Sequence, residues 1–139
     1  LLHGVRYVSE LAYSEFIEDY LPRNEFFGEE VRDKLVYYPT VTREEFRNQG
    51  RVTDLITTGK FFEDTGLPPL DPALDRAMIC GSPAMLDDCC KMLDARGFRI
   101  SPHIGAPGDY TYQVFYRNAA ASFCPPGTFN VTSGWRVIW

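Results

Sequence analysis

Arg43, Arg47 and Arg51 recur at every fourth position in the stretch Tyr37 to Arg51, which reads YYPTVTREEFRNQGR. A guanidinium stays charged at any workable pH and offers a planar fork of donors that matches phosphate oxygens. Tyr37, Tyr38, Val41 and Thr42 have the β-branched and aromatic content of a buried strand. Asn48-Gln49-Gly50 supplies a turn after it. Open α/β sheets bind ligands in the crevice outside the carboxyl ends of their strands, which is where these arginines fall. The chain carries 14 Lys+Arg against 19 Asp+Glu, a net charge of −5, so a local basic cluster stands out. A phosphate is the ligand this cluster suits. The competing reading is a solvated loop whose arginines pair with Glu44 and Glu45.

Cys80-Gly81-Ser82-Pro83-Ala84-Met85 forms a second constellation, a thiol at a strand end beside the start of a helix. Free N–H groups and the positive dipole end suit an anion or a polar ligand edge there. A nucleophilic thiol of the phosphatase type would want an arginine at position 86, which is Leu. Two readings stay open. Cys80 is either a structural buried cysteine or a pocket-lining residue, with Ser82 to Ala84 touching a nucleotide. No GxGxxG fingerprint is present, and no Ser-His-Asp arrangement can be assembled.

Cys80, Cys89, Cys90 and Cys124 lack zinc or disulfide-scaffold spacing, and only His3 and His103 could assist as imidazole ligands, so no metal is expected. Reduced, buried thiols in a cytoplasmic protein are the simpler account. The acidic balance argues against nucleic acid. No stretch approaches the roughly 18–20 apolar residues of a membrane span. No secretory leader is visible, so the sequon Asn130-Val131-Thr132 carries little weight. Leu1-Leu2-His3 reads like the end of a buried strand, which predicts that an upstream part is missing.

These residues need elements to hold them. The pattern predicts a helix capped by Ser9 and running to about Tyr20, with Leu11, Phe16, Ile17 and Tyr20 on one face. A helical turn near Glu29 to Asp33 and a strand over 35–42 follow. Two short helices, 52–58 and 60–65, stop at Gly59 and Gly66. Leu67-Pro68-Pro69-Leu70 is an extended connector. The apolar run 76–80 reads as a strand buried on both faces of a parallel sheet. A helix from Pro83 to about Arg96 comes next, capped by Ser82 and ended by Gly97. Phe98 to Ser101 is predicted as a further strand. Strands alternating with helices imply an α/β fold with a doubly wound, mostly parallel sheet and flanking helices. Residues 1–117 are taken as the domain and 118–139 as a divergent tail outside the sheet, with an edge strand at Arg136 to Trp139 as the alternative.

With these pieces in order, the chain resembles the NADP-binding half of a bacterial ferredoxin (or flavodoxin)–NADP reductase. The match is carried by His3-Gly4-Val5-Arg6, Tyr38-Pro39-Thr40-Val41-Thr42-Arg43-Glu44, Asn48-Gln49-Gly50-Arg51, Gly66-Leu67-Pro68-Pro69 and Met78 to Met85, over about residues 1–112. The resemblance implies that Arg6, Arg43 and Arg51 hold the adenosine phosphates, the last two meeting the 2′-phosphate. It implies that Val5 and Thr42 assist, and that Cys80, Gly81, Ser82, Pro83 and Ala84 border the nicotinamide, with Asp88 close by. Cys80 would line the pocket without acting as a nucleophile. The implied reaction is hydride transfer between NADP(H) and FAD, with electrons passed to ferredoxin or flavodoxin. FAD would be bound mainly by a preceding barrel that this sequence lacks, so the stretch by itself is expected to be inactive. The alternatives are a non-catalytic fragment and an unrelated anion-binding α/β module.

Overall fold

The computed structural model describes residues 1–102, 106–117 and 129–131, the side chains of 114–117 and 129–131 excepted. The chain divides into two compact units, Leu1–Pro68 and Pro69–Trp139, at the Leu67-Pro68-Pro69 connector.

In the first unit, β1 (Leu2–Val5) lies parallel to β2 (Tyr38–Val41), in a register running from Leu2 opposite Tyr38 to Val5 opposite Val41. All four residues of β2 are buried. α2 (Val52–Thr57) and α3 (Lys60–Thr65) follow β2 and bring Leu55, Ile56 and Phe61 into the core with Tyr38 and Val41. Gly59 (φ 85°) and Gly66 (φ 72°) bracket α3 in the left-handed conformation glycine adopts without strain. Tyr38 packs edge-on against Phe61, with ring centroids 5.2 Å apart, and donates its hydroxyl to Asp64 Oδ2 at 2.6 Å. Burial, reinforced by that carboxylate, pushes the Tyr38 phenol up to about 12.

Between the two strands runs a long excursion that includes α1 (Gly28–Lys34). The helix expected from Ser9 to Tyr20 is not continuous. A tight turn over Val8–Glu10 and a wide turn over Phe16–Tyr20 stand in its place. Tyr13 between them is left-handed (φ 63°), which no helix interior accommodates. Phe16 and Tyr20 are 50% and 60% exposed and Leu11 and Ile17 only half-buried, so the apolar face gains little packing to offset the cost of ordering a helix.

In the second unit, β3 (Ala77–Gly81) pairs parallel with β4 (Tyr110–Arg117), and β5 (Phe129–Val131) pairs antiparallel with the far end of β4. α4 (Pro83–Asp94) packs against them through Leu93, beside Phe98 and Tyr110. Tyr110 donates to Asp94 Oδ1 at 2.7 Å.

Three expectations are corrected here. Phe98 to Ser101 is not a strand: only Ile100 bridges to Tyr110, because the Arg99 N–H is taken by the Asp109 side chain. The strand is 110–117, whose Tyr110-Thr111-Tyr112 and Val114-Phe115-Tyr116 carry ordinary strand composition. Residues 129–131, placed outside the sheet by the sequence reading, lie in it and pair with backbone groups of β4. The rest of that reading, the edge strand at Arg136 to Trp139 included, lies outside the described residues, as do His103 and Cys124. Finally, β3 is not buried on both faces. Ala77 and Ile79 face the Leu93 cluster, whereas Met78 is 68% exposed and Cys80 is exposed. The α/β class holds, and the described strands form one small sheet in each unit.

The start of α4 offers a local check. Ser82 is extended, Pro83 occupies the first helical position, and the Met85 N–H donates to Ser82 Oγ at 3.4 Å. Ser82→Ala is expected to cost about 1 kcal/mol, read as a lowered urea midpoint. An unchanged midpoint would show that the cap contributes nothing.

Candidate functional site

The carboxyl ends of β1 and β2 stop at the same level, and backbone hydrogen bonds carry the pairing past them. The Thr42 N–H and hydroxyl both donate to the Val5 carbonyl, at 3.1 and 3.3 Å. The Arg43 N–H donates to the Arg6 carbonyl at 2.9 Å. Val5, Arg6, Thr42 and Arg43 are thereby gathered at one sheet edge, as the sequence reading required.

The loop after Arg43 then returns to β2. Val41 donates to the Asn48 carbonyl at 3.1 Å and accepts from the Gly50 N–H at 3.0 Å. Asn48 Nδ2 donates to the Pro39 carbonyl at 2.9 Å, and the Thr40 hydroxyl donates to the Gly50 carbonyl at 2.8 Å. Gly50 sits at φ 137°, a backbone conformation that side-chain-bearing residues rarely adopt. This return delivers Arg51 to the same strand end, with its carbonyl accepting from Leu55 N–H at 3.0 Å.

The arginines around this edge are not equivalent. Arg47 pairs with Glu18 and lies over the Phe46 ring, 5.5 Å from its centroid. Arg6 Nη2 donates to Glu10 Oε1 at 2.6 Å, and this carboxylate raises the Arg6 pKa above its usual value. Glu44 pairs with no arginine among the described residues; it accepts from the Val8 N–H. Arg43 and Arg51 are exposed, and neither side chain has a hydrogen bond or ion pair among the described residues. Two free guanidiniums at a strand end can hold a phosphate monoester, whose charge and oxygen count exceed what one arginine matches. The pairing of Arg6 and Arg47 was missed by sequence reasoning. The spacing of Arg6 and Glu10 could have signalled the first pair; nothing local signals the second.

The turn of the second unit places Cys80 exposed at the end of β3, which removes the buried-cysteine reading for it. A Cβ at Gly81 would meet Met85 Sδ at 2.6 Å, so the glycine leaves room for that side chain. Ser82, Pro83, Ala84 and Asp88 are exposed along the start of α4. No described histidine, arginine or carboxylate partners the Cys80 thiol. Cys89 is buried, and burial pushes its thiol up, as it does that of Cys90. Among the described residues no group of three or more His, Cys, Asp or Glu could hold a metal ion. No described helix is long and apolar enough to cross a membrane.

The chain is 64% identical over 110 residues to the ferredoxin–NADP reductase of Azotobacter vinelandii, covering 79% of this chain and 43% of that protein. It is 63% identical over 110 residues to the Pseudomonas aeruginosa ferredoxin–NADP reductase, again 43% of that protein. Ferredoxin–NADP reductase A of Sorangium cellulosum is 44% identical over 136 residues, covering 95% of this chain and 49% of that one. No protein-family model matches. The fold is similar to that of a ferredoxin NADP+ reductase from Neisseria gonorrhoeae with bound FAD and NADP, with a TM-score of 0.65. That likeness, at 21% identity, covers 82% of this chain and 43% of that structure, and it shows the fold alone. The chain spans less than half the length of these relatives. Over 79% of its own length, the chain is similar to ferredoxin–NADP reductases at 63–64% identity.

Proposed function

We propose that this chain is the NADP(H)-binding part of a flavin-dependent ferredoxin or flavodoxin–NADP reductase, and that Arg43 and Arg51 take the 2′-phosphate. The observation that carries the reading is selective pairing. Arg6 and Arg47 already have carboxylate partners, while Arg43 and Arg51, at the carboxyl end of β2, have none among the described residues. Basic rather than acidic residues at the adenosine ribose favour NADP over NAD. The donor set therefore fits a 2′-phosphate, with Thr42 held on the Val5 carbonyl and Arg43 beside it on the Arg6 carbonyl.

In the complete enzyme, bound FAD would supply the chemistry that couples hydride transfer to single-electron transfer. This chain's residues bind and orient the nucleotide. In the second unit, the reading makes Cys80 and Gly81 to Ala84 neighbours of a nicotinamide, with Asp88 near them on α4. The partner is ferredoxin or flavodoxin, with no nucleic acid or membrane, and the location is the cytoplasm.

Isothermal titration with NADP and NAD tests the reading. Clear preference for NADP supports it; equal affinity, or none for either, overturns it in favour of an unrelated anion-binding module. Cys80→Ser is expected to change the hydride-transfer rate of the complete enzyme and to leave NADP affinity nearly intact. A covalent adduct trapped at Cys80 during turnover would refute the pocket-lining role.

A further inference from the structure

We propose that Glu10 is an internal competitor for an anion site at the carboxyl end of β1, a site that otherwise takes a phosphate group. Immediately after Val5, the N–H groups of Arg6 and Tyr7 both donate to Glu10 Oε2, at 2.9 and 3.2 Å. Arg6 Nη2 donates to the other oxygen at 2.6 Å. Two successive main-chain N–H groups and a guanidinium thus converge on one carboxylate. Successive N–H groups of this kind form the concavities in which proteins hold phosphate oxygens, and a guanidinium beside them adds the matching charge.

The incumbent is replaceable. The Arg6 and Glu10 side chains are 63% and 34% exposed, and an ion pair this open to water is weakly held. A phosphate brings more negative charge and more acceptor oxygens than the carboxylate it displaces. Moreover, the Arg6 carbonyl accepts from Arg43, so the site adjoins one of the two free arginines within the same unit. Glu10 would set how tightly the phosphate is held by occupying its donors when no ligand is present.

The inference rests on the NADP reading for its natural ligand, but it can be tested without it. Inorganic phosphate and NADP are titrated into the wild-type chain, Glu10→Gln, Arg6→Ala and the double variant. Glutamine keeps an acceptor for the N–H groups and removes the competing charge. Glu10→Gln is expected to tighten inorganic phosphate about fivefold, the effect of one unit charge at contact distance in water. Arg6→Ala should abolish that gain in the double variant. Amide resonances of Arg6 and Tyr7 should shift as phosphate is added to Glu10→Gln. Weaker binding in Glu10→Gln would mean that Glu10 positions Arg6 instead of competing for it, and would overturn the proposal. Unchanged affinity, or static Arg6 and Tyr7 amides in a variant that still melts cooperatively, would do the same. If wild-type protein does not prefer NADP but Glu10→Gln still tightens phosphate, the nucleotide reading fails and the competitor stands.

Discussion

Arg51→Ala is expected to weaken NADP binding by about 10- to 100-fold and to leave NAD binding nearly unchanged. A charge-assisted hydrogen bond contributes roughly 1.5–3 kcal/mol, and each 1.4 kcal/mol is about tenfold in affinity. Arg43 would remain at the phosphate, but one guanidinium does not match the charge and oxygens that two can hold. Arg47 pairs with Glu18, and Arg6 pairs with Glu10 at the end of β1. Arg51 also has no carboxylate partner among the described residues whose release could offset its loss. NAD lacks the 2′-phosphate and so loses nothing at this position. Arg43→Ala should behave similarly, and the double variant should bind the two nucleotides alike. Calorimetry with both nucleotides decides it; equal losses for NADP and NAD would remove Arg51 from the 2′-phosphate.

Asp109→Ala is expected to lower the thermal midpoint by roughly 5–10 °C, the range associated with loss of a buried hydrogen-bonded network in a domain of this size. The Asp109 side chain is only 6% exposed. Its Oδ2 accepts from the Arg99 backbone N–H at 2.9 Å and from Arg99 Nε at 3.1 Å, and Arg76 lies 3.9 Å from its Oδ1. Its backbone N–H and carbonyl also join the Arg99 segment to β3. Alanine would leave the Arg99 N–H without its acceptor, which costs more than the hydrogen bond is worth when made. The Arg99 side-chain hydrogen bond, followed by that of its backbone, holds the Asp109 carboxyl below its usual value. A carboxyl lowered on folding stabilises the native state above its unfolded pKa, and that contribution disappears as pH falls through the folded value. Asp109→Asn should therefore flatten the acid limb of the midpoint-against-pH curve below about pH 4, near the unfolded carboxyl pKa. Circular dichroism melts across that range test this; an acid limb as steep as the wild type's would show that Asp109 is not its source.

Much of this protein was readable because it is encoded within a few residues. Ser82 followed by Pro83 starts α4, and Gly59 and Gly66 bracket α3, since a cap or a left-handed residue acts on its own turn. The Tyr38 to Val41 strand and the arginines beyond it were also legible, from β-rich composition followed by turn chemistry. Where several weak local patterns competed, tertiary packing chose between them. Residues 9–20 have helical spacing, yet Phe16 and Tyr20 of their apolar face are left exposed and Tyr13 interrupts it. Residues 98–101 have strand composition, but the Asp109 side chain claims the Arg99 N–H, and 110–117 pairs with β3 instead. The charge state of the arginine cluster was the least accessible property. Only the folded chain brings Glu18 to Arg47 across an excursion, and folds Glu10 back onto the N–H groups of Arg6 and Tyr7. Sequence placed four arginines near one edge, whereas tertiary structure paired two of them and left Arg43 and Arg51 without a partner among the described residues. The reason is physical: a guanidinium's charge is intrinsic to the residue, but its availability depends on which carboxylate the fold places within reach.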